Sequence, residues 1–311
     1  MGLDLQPVLR LLTALLNLAV AVLTGASACR WWLARDASAW AAARRSPVRK
    51  AACAGAALAL AANLVLLWLE SAAMAEVPAS QAAGATWTML SATHLGRAWT
   101  IGMAGLALAA AGAFIRSERP APAQLSLAAL AVFWYTRSMA SHAASEGDFS
   151  LPLLADWLHG GLTSLWLGEV LLAGAVMLTV ARDMAGIDRR ARAAYVGALS
   201  NSATIALAGI FITGLYAAWR NLGGFGQLLG NPYGKTLLAK LLLVGAAATL
   251  GGVNRFFVMP PWLARESAGQ PAADGLPLRF RHILWIEALV LVAVVVLAAW
   301  LASTPPPGDR M

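Results

Sequence analysis

Long apolar runs that are almost free of charged residues recur along the whole chain, separated by short polar segments. A helix needs about 20 mostly apolar residues to cross the hydrocarbon core of a bilayer. Runs of that order occur eight times, and we therefore predict an all-α, polytopic membrane bundle of about eight transmembrane helices. The predicted spans cover residues 11–29, 51–69, 98–115, 120–136, 157–181, 193–219, 236–254 and 282–303.

The link between the third and fourth predicted spans is only a few residues long, beginning at Arg116 and ending at Pro120. A link this short favours antiparallel neighbours, so we expect these two spans to pack as a tight helical hairpin. We divide the chain into an N-terminal membrane unit (residues 1–140, the first four spans) and a C-terminal membrane unit (residues 141–311, the last four).

The composition supports a membrane protein and excludes an ordinary soluble one. Hydrophobic residues make up 59% of the 311 residues and charged residues only 12%, whereas soluble domains carry about 25% charged residues. We expect the lipid bilayer as a partner, and the net charge of +8 does not indicate nucleic acid. The chain contains no Gly-x-x-x-x-Gly-Lys-Ser/Thr loop, so we expect neither a P-type nor an ABC pump, and no enzymatic activity.

Basic residues are distributed unevenly between the loops. Most of the 23 lysines and arginines lie in the connections that follow spans 1, 3, 5 and 7. Because basic residues collect in cytoplasmic loops, this asymmetry predicts a multi-pass inner-membrane protein with both termini in the periplasm. The residues concerned are Arg30, Arg35, Arg44, Arg45, Arg49, Lys50, Arg116, Arg119, Arg182, Arg189, Arg190, Arg192, Arg255, Arg265, Arg279 and Arg281.

The first span could instead be a cleaved signal peptide, because Ala26-Ser27-Ala28 resembles a small-residue cleavage site. The segment before it holds Asp4 and Arg10 without a clear positively charged region, and its apolar run is long for a signal peptide. We therefore predict that the first helix is retained.

Three of the four histidines fall at the same predicted rim of the bundle. His94 precedes span 3, His142 follows span 4 and His159 begins span 5, all on the predicted extracytoplasmic side. Only His282 lies at the cytoplasmic edge. This distribution indicates an extracytoplasmic site.

Methionine and carboxylate side chains accompany these histidines. Met139 precedes His142 by three residues and Asp156 precedes His159 by three, spacings that place each pair on one helix face. Met89 comes shortly before His94. Imidazole nitrogen with thioether sulfur suits copper, especially Cu(I), whereas hard cations need more carboxylates than this rim offers. We therefore predict that copper, as Cu(I) or Cu(II), binds at this rim.

Two residues of the fifth span are candidates for an inward ion path. Trp166 lies seven residues after His159, on roughly the same helix face, and Glu169 follows three residues later near mid-membrane. A carboxylate at that depth is paired, protonated or part of an ion path.

Two further charged residues lie inside predicted spans and need partners. Lys240 sits about one turn inside the outer face, where Glu70 is the best partner by depth. Glu287 sits equally far inside the cytoplasmic face, near Asn254-Arg255, and we expect it to pair with Arg255. Both pairs are expected to be structural first and ion-path elements second.

The two cysteines lie at the predicted cytoplasmic ends of spans 1 and 2. In a reducing compartment Cys29 and Cys53 stay thiols rather than forming a disulfide. Facing each other they could receive Cu(I) on exit, although cysteine as a small buried apolar side chain is commoner.

Several short motifs in the second half of the chain form a recognisable set. They are Ser141-His142-Ala143-Ala144, Trp157-Leu158-His159, Leu165-Trp166-Leu167-Gly168, Tyr233-Gly234 with Lys240, Asn254-Arg255 with Pro260, and Glu287 with Pro305-Pro306. Together they resemble the bacterial copper-resistance D family of CopD/PcoD type, over roughly residues 140 to 307. The chain departs from that pattern at Glu169, where members often carry a glycine.

The resemblance implies an inner-membrane protein that handles copper delivered from the periplasm, often by a small periplasmic copper carrier of CopC type. The implied role is copper uptake into the cytoplasm or supply to cuproproteins. Two alternatives stay open: a haem-bearing electron-transfer protein, because histidines on facing helices also ligate haem, and a membrane anchor for the carrier that moves no copper. A homo-oligomer is possible.

Overall fold

The computed structural model describes residues 5–179, 189–222, 226–268 and 275–304. Within these ranges the chain forms helices and no strand, which confirms the predicted all-α bundle. The α-helices are α1 (Gln6–Leu33), α2 (Ala39–Met74), α3 (Ala83–Ala92), α4 (His94–Phe114), α5 (Ala121–Met139), α6 (Leu151–Leu172), α7 (Arg189–Leu222), α8 (Gln227–Gly230), α9 (Pro232–Val253), α10 (Met259–Ser267) and α11 (Leu276–Ala302). Shorter elements are the 3₁₀ turns Ala79–Gln81 and His142–Glu146 and the π-helical turns Ala173–Met177 and Asn254–Val258.

Seven helical segments of the described ranges are long and apolar enough to cross a membrane. They are Gln6–Leu33, Ala39–Met74, His94–Phe114, Leu151–Met177, Arg189–Leu222, Pro232–Glu266 and Leu276–Ala302. The span predicted over 120–136 forms α5, a helix of 19 residues that is not among these seven. Gln124, Tyr135 and Arg137 make α5 more polar than its neighbours.

Helices α4 and α5 form the close hairpin that their short link predicts. Small residues allow the two backbones to approach, and a Cβ added to Gly105 would lie 3.0 Å from the carbonyl oxygen of Ala129. Ser126 of α5 donates a hydrogen bond to the carbonyl of Ala109 on α4 (2.9 Å). The hairpin is therefore held by backbone proximity and by one interhelical hydrogen bond, as is common between membrane helices.

Helix α6 crosses α1 where two glycines face each other. A Cβ added to Gly168 would lie less than 3.0 Å from the backbone of Ala21 and Gly25, and one added to Gly25 would come equally close to Gly168. Real side chains essentially never come so near to backbone atoms. Gly168 thus belongs to the tightest helix crossing that these glycines form, and this crossing holds α6 in the middle of the bundle.

Two buried arginines satisfy the carbonyl groups left open where neighbouring helices end. Arg30 of α1 donates to the carbonyls of Gly112 (2.9 Å), Ala113 (3.3 Å) and Ile115 (2.9 Å), at the end of α4. Arg44 of α2 donates to the carbonyl of Met177 (2.8 Å), in the π-helical turn that follows α6. Each guanidinium is therefore hydrogen-bonded although it is less than a tenth exposed.

The bundle has two chemically different ends. The arginine end holds Arg30, Arg44 and Arg116, and the histidine end holds the starts of α4 and α6. At the histidine end Arg10 donates to Ser303 (2.7 Å), so the first and last described helices bring their outer ends together. Assignment of the histidine end to the periplasm, retention of the first helix and division of the chain at residue 140 stay predictions. Residues 180 and 181 of the fifth predicted span, Arg182 and Pro305-Pro306 lie outside the described residues.

Candidate functional site at the histidine end and in the membrane

The segment 140–150, the outer loop, joins α5 to α6 and is tied to three helices. Tyr135 of α5 donates to the carbonyl of Asp148 (2.5 Å). The Nε2 atom of His94, at the start of α4, lies 2.9 Å from Oδ2 of the same Asp148. Arg220, near the end of α7, forms an ion pair with Glu146. The outer loop therefore brings the first candidate histidine, His94, to the end of the bundle that carries His142.

His142 lies at the start of the 3₁₀ turn His142–Glu146 and is exposed. Met139 is the last residue of α5, and the chain leaves the helix at Ala140 before His142 begins the new turn. The prediction that Met139 and His142 share one helix face is therefore wrong. The prediction for Asp156 and His159 is confirmed, because both lie within α6.

His159 projects from α6 towards α7 and is half-buried. Its Nδ1 atom lies 3.0 Å from Oγ1 of Thr213, whose hydroxyl proton is donated to the carbonyl of Gly209 (2.7 Å). Because that proton is already used, we assign the ring nitrogen Nδ1 as the donor in the contact between His159 and Thr213. A neutral ring protonated at Nδ1 carries its lone pair on Nε2, the atom that ligates a metal when the other nitrogen is held in this way.

Lys240 of α9 and Asp156 of α6 complete the surroundings of His159. The positive charge of Lys240 acts on His159, and the carboxylate of Asp156 acts favourably on Lys240. Asp156 also accepts a hydrogen bond from Ser141 of the outer loop (3.2 Å). The site at the histidine end therefore consists of one half-buried imidazole beside a lysine and a carboxylate of opposite charge.

The predicted pairing of Lys240 with Glu70 does not form in the part of the chain that the structure describes. The charge of Asp156 acts on Lys240 and that of Arg137 of α5 acts on Glu70, but neither of these pairs of described residues lies within ion-pair distance. The reason is the order of the helices, since α9 packs on α11 and α7 whereas α2 packs on α1 and α4. Similar depth in the membrane therefore does not show that two residues lie on neighbouring helices.

The structure separates the predicted copper ligands. Within the described ranges no group of three or more His, Cys, Asp and Glu side chains is close enough to hold a metal ion. His94 is engaged by Asp148 and His159 by Thr213. Met89 is buried against α2, where its sulfur accepts a hydrogen bond from Ser71 (3.1 Å). The histidines share one end of the bundle without forming a common ligand set, and Met89 faces the interior because α3 packs its apolar side on α2.

A second group of candidate residues meets in a cavity of about 200 Å³ between α6, α7, α9 and α11, the inner cavity. The indole of Trp166 donates to Oε1 of Glu287 (3.0 Å), and both side chains are buried. Asn254 donates to the carbonyl of Phe280 (3.2 Å), while its Oδ1 atom is buried without a hydrogen-bond partner. The sequence identified these residues separately, and the fold places them around one cavity.

The expected ion pair between Arg255 and Glu287 does not form, although both side chains line the inner cavity. Arg255 donates instead to Ser200 (2.6 Å) and Asn201 (3.3 Å) of α7. Sequence reasoning missed these two partners. The available signal was the polar triplet Ser200-Asn201-Ser202, which interrupts an otherwise apolar span.

Glu169 lies on α6 between the site at His159 and the arginine end. Its side chain is 9% exposed and lies near Ser202 of α7, while its Oε2 atom has no hydrogen-bond partner in the structure. Glu169 also acts electrostatically on Cys29 and Tyr195. A buried carboxylate oxygen without a donor is costly and is a feature of functional sites.

The two cysteines are free thiols with different neighbours. The sulfur of Cys29 lies 3.7 Å from the hydroxyl of Tyr195 on α7, whereas that of Cys53 lies 3.5 Å from the carbonyl of Ala113 on α4. The hypothesis of a joint exit site needs both sulfurs to face one ion. Their separate contacts favour the interpretation as small buried side chains.

The ion pair between Arg220 and Glu146 predicts a pH-dependent anchor for the outer loop. The hydrogen bond from Arg220 lowers the pKa of the Glu146 carboxyl below its usual value. A lowered pKa contributes stability above the unfolded pKa of about 4.3, and this contribution is lost as the pH falls through the folded pKa. We expect a small excess in Tm of the wild type over Glu146→Gln at pH 7, closing as the pH falls below about 4. A pH-independent difference would contradict this origin.

Comparison with known proteins supports one family along most of the chain. The family model for copper resistance protein D matches residues 193–301, and the model for the copper resistance protein D-like N-terminal domain matches residues 3–151. Copper resistance protein D of Pseudomonas syringae pv. tomato is 30% identical over 258 residues, covering 77% of this chain and 74% of that protein. No solved structure matches the chain. The chain therefore belongs to the copper resistance protein D family and is a copper-related, multi-pass membrane protein.

Proposed function

We propose that this protein carries copper as its transported substrate from the periplasm across the inner membrane, without an enzymatic activity of its own. The observation that carries this proposal is the contact between Nδ1 of His159 and Oγ1 of Thr213. With the proton assigned to Nδ1, the lone pair lies on Nε2. An imidazole held in this way on a central membrane helix is suited to accept a soft cation.

The histidine end supplies the first contacts for the arriving ion. His142 is exposed on the outer loop, and Met139, with its thioether, is half-buried at the end of the adjoining helix. His94 is held against the same loop by Asp148. These three residues act as separate docking groups, from which copper passes to His159.

The charges beside His159 regulate how long a cation stays there. Lys240 repels a cation at the imidazole, and Asp156 offsets that repulsion. A site that combines a ligand with a nearby like charge binds weakly enough to release its ion. Release inward is favoured because Glu169 offers a carboxyl oxygen without a hydrogen-bond partner deeper in the bundle.

The inward path follows α6. Trp166 and Glu169 lie about 10 and 15 Å further along the helix than His159, because each residue adds about 1.5 Å. Trp166 is hydrogen-bonded to Glu287 at the inner cavity, where Asn254 presents its unpartnered Oδ1. The path therefore offers an imidazole, a buried carboxylate and an amide oxygen in order of depth.

Charge distribution supports the direction of this path. The arginines concentrate at the end opposite His159, and this distribution supports a cytoplasmic arginine end with the histidines in the periplasm. A periplasmic carrier of CopC type is the expected donor of copper. We propose that the copper gradient, rather than nucleotide hydrolysis, supplies the driving force.

The proposal is tested by copper flux into proteoliposomes and by copper bound per purified protein. We expect flux with the wild type, and copper binding weakened at least tenfold in His159→Ala and in Thr213→Val. Loss of the hydrogen bond that orients a ligating imidazole typically costs 10- to 100-fold in metal affinity. His142→Ala should lower binding as well. His282→Ala is the matched control, because His282 is exposed at the other end of the bundle.

Three results would contradict the proposal. Equal copper binding in all four variants would remove the site at the histidine end. Carrier binding without flux would favour a membrane anchor, and a haem Soret band in the purified protein would favour electron transfer.

A further inference from the structure

Five arginines surround an open cavity of about 330 Å³ at the arginine end, between α1, α2 and the link from α4 to α5. We call it the basic cavity. Its charged lining residues are Arg30, Arg45, Arg49, Arg116, Arg119 and Glu118. The copper path described above does not use this cavity, which lies between α1 and α2 at the arginine end.

The positive charges of the basic cavity exceed the negative ones. Glu118 is its single carboxylate and is paired with Arg45 (2.7 Å). In the part of the chain that the structure describes, Arg49, Arg116 and Arg119 have no carboxylate partner. Like charges that are brought together without counter-charges repel one another, so this arrangement is more stable when an anion is bound.

Two arginines of the cavity carry direct signs of uncompensated charge and unmet hydrogen bonding. One is repelled by a neighbouring arginine, and the other has a buried donor without an acceptor among the described residues. The charge of Arg49 acts unfavourably on Arg30, which is 8% exposed and is fixed by the carbonyls at the end of α4. Arg45 donates to the carbonyl of Asp36 (3.0 Å), but its Nε atom is buried without a hydrogen-bond partner. A donor in that state is costly unless an acceptor reaches it.

We propose that the basic cavity binds a phosphate oxyanion, provided either by the headgroup of an anionic phospholipid or by soluble phosphate. Guanidinium groups offer paired N–H donors that match phosphate oxygens. Leu33 and Ala34 at the end of α1 give one apolar wall beside the arginines. Basic cavities between membrane helices, at the level of the lipid headgroups, bind such anions.

Native mass spectrometry of the full chain in detergent tests this assignment, with phosphatidylglycerol as the probe and phosphatidylcholine as the neutral comparison. We expect phosphatidylglycerol to be retained preferentially by the wild type. Arg49→Gln and Arg116→Gln should each weaken its retention about fivefold, the effect of removing one arginine near an anionic headgroup. Lys50→Gln removes the same charge from an exposed neighbouring position outside the cavity and should change retention less than twofold.

A second arm identifies the source of the phosphate. Inorganic phosphate is added in detergent without lipid, and the thermal unfolding of the wild type is compared with that of Arg49→Gln and of Arg116→Gln. A stabilisation by phosphate that both variants lose, with no preference for phosphatidylglycerol, assigns the cavity to soluble phosphate. The proposal is overturned if neither probe distinguishes wild type from both cavity variants, or if Lys50→Gln loses as much lipid as they do. Unfolding in the absence of either probe verifies that the variants are folded.

Discussion

Gly168→Ala is expected to lower the free energy of unfolding by about 3 kcal/mol, the upper part of the range for overpacked interiors. The added methyl group would lie less than 3.0 Å from backbone atoms of Ala21 and Gly25 on α1. Backbone cannot rotate away as a side chain can, so α1 and α6 must move apart and lose their packing. Thermal unfolding in detergent, followed by tryptophan fluorescence, measures the effect.

Gly161→Ala is the matched control on the same helix. A Cβ at Gly161 meets no atom within 4 Å, and alanine is a better helix former than glycine by up to about 1 kcal/mol. This variant should therefore unfold at the wild-type temperature or slightly above it. Equal melting temperatures for the two variants would show that α6 does not cross α1 at Gly168.

Glu169→Gln is expected to slow copper flux about tenfold while leaving the protein folded. Glutamine has nearly the same shape and can stay near Ser202, but it removes the ionisable carboxyl group that the proposed path offers beyond His159. A loss of about 1.4 kcal/mol in stabilisation of the moving cation corresponds to a tenfold lower rate. Flux is measured in proteoliposomes at matched protein content, with thermal unfolding as the check on folding.

Glu76→Gln is the control for a general effect of negative charge on copper flux. Glu76 is exposed in the turn after α2, at the histidine end, so its replacement removes one negative charge without touching α6. We expect its flux to equal that of the wild type. If both variants slow flux equally, the effect comes from attraction of copper to the surface, and the role proposed for Glu169 is wrong.

The site at His159 and the inner cavity both depend on side chains of α6. Helix α6 carries His159, Trp166 and Glu169, and its neighbours α7 and α11 supply Thr213 and Glu287 as their hydrogen-bond partners. Because Gly168 lies beside Trp166 and Glu169, the crossing with α1 also fixes the position of those two side chains. Packing and the proposed path therefore depend on the same short segment of α6.

The helices themselves were predictable because a membrane span is a local property. About 20 apolar residues identify it, whatever lies next to it, and the seven spans and the α4–α5 hairpin follow from such runs and from one short link. The position of three histidines at one end of the bundle was predictable for the same reason, since it follows from how far each histidine lies from the end of a span. The predicted span that forms α5 is not among these seven, because Gln124, Tyr135 and Arg137 lower its hydropathy below that of its neighbours.

The sequence by itself determined the all-α membrane bundle, the family resemblance and the level of each ionisable residue. Only the tertiary structure decided which of these residues lie close to one another. The carboxylate whose charge acts on Lys240 is Asp156 rather than Glu70, and Glu287 accepts a hydrogen bond from Trp166. The physical reason is that hydropathy reports depth along the membrane normal, whereas pairing depends on which helices are adjacent and on how they are rotated. That arrangement is set by close contacts such as Gly25 on Gly168, between residues far apart in the chain.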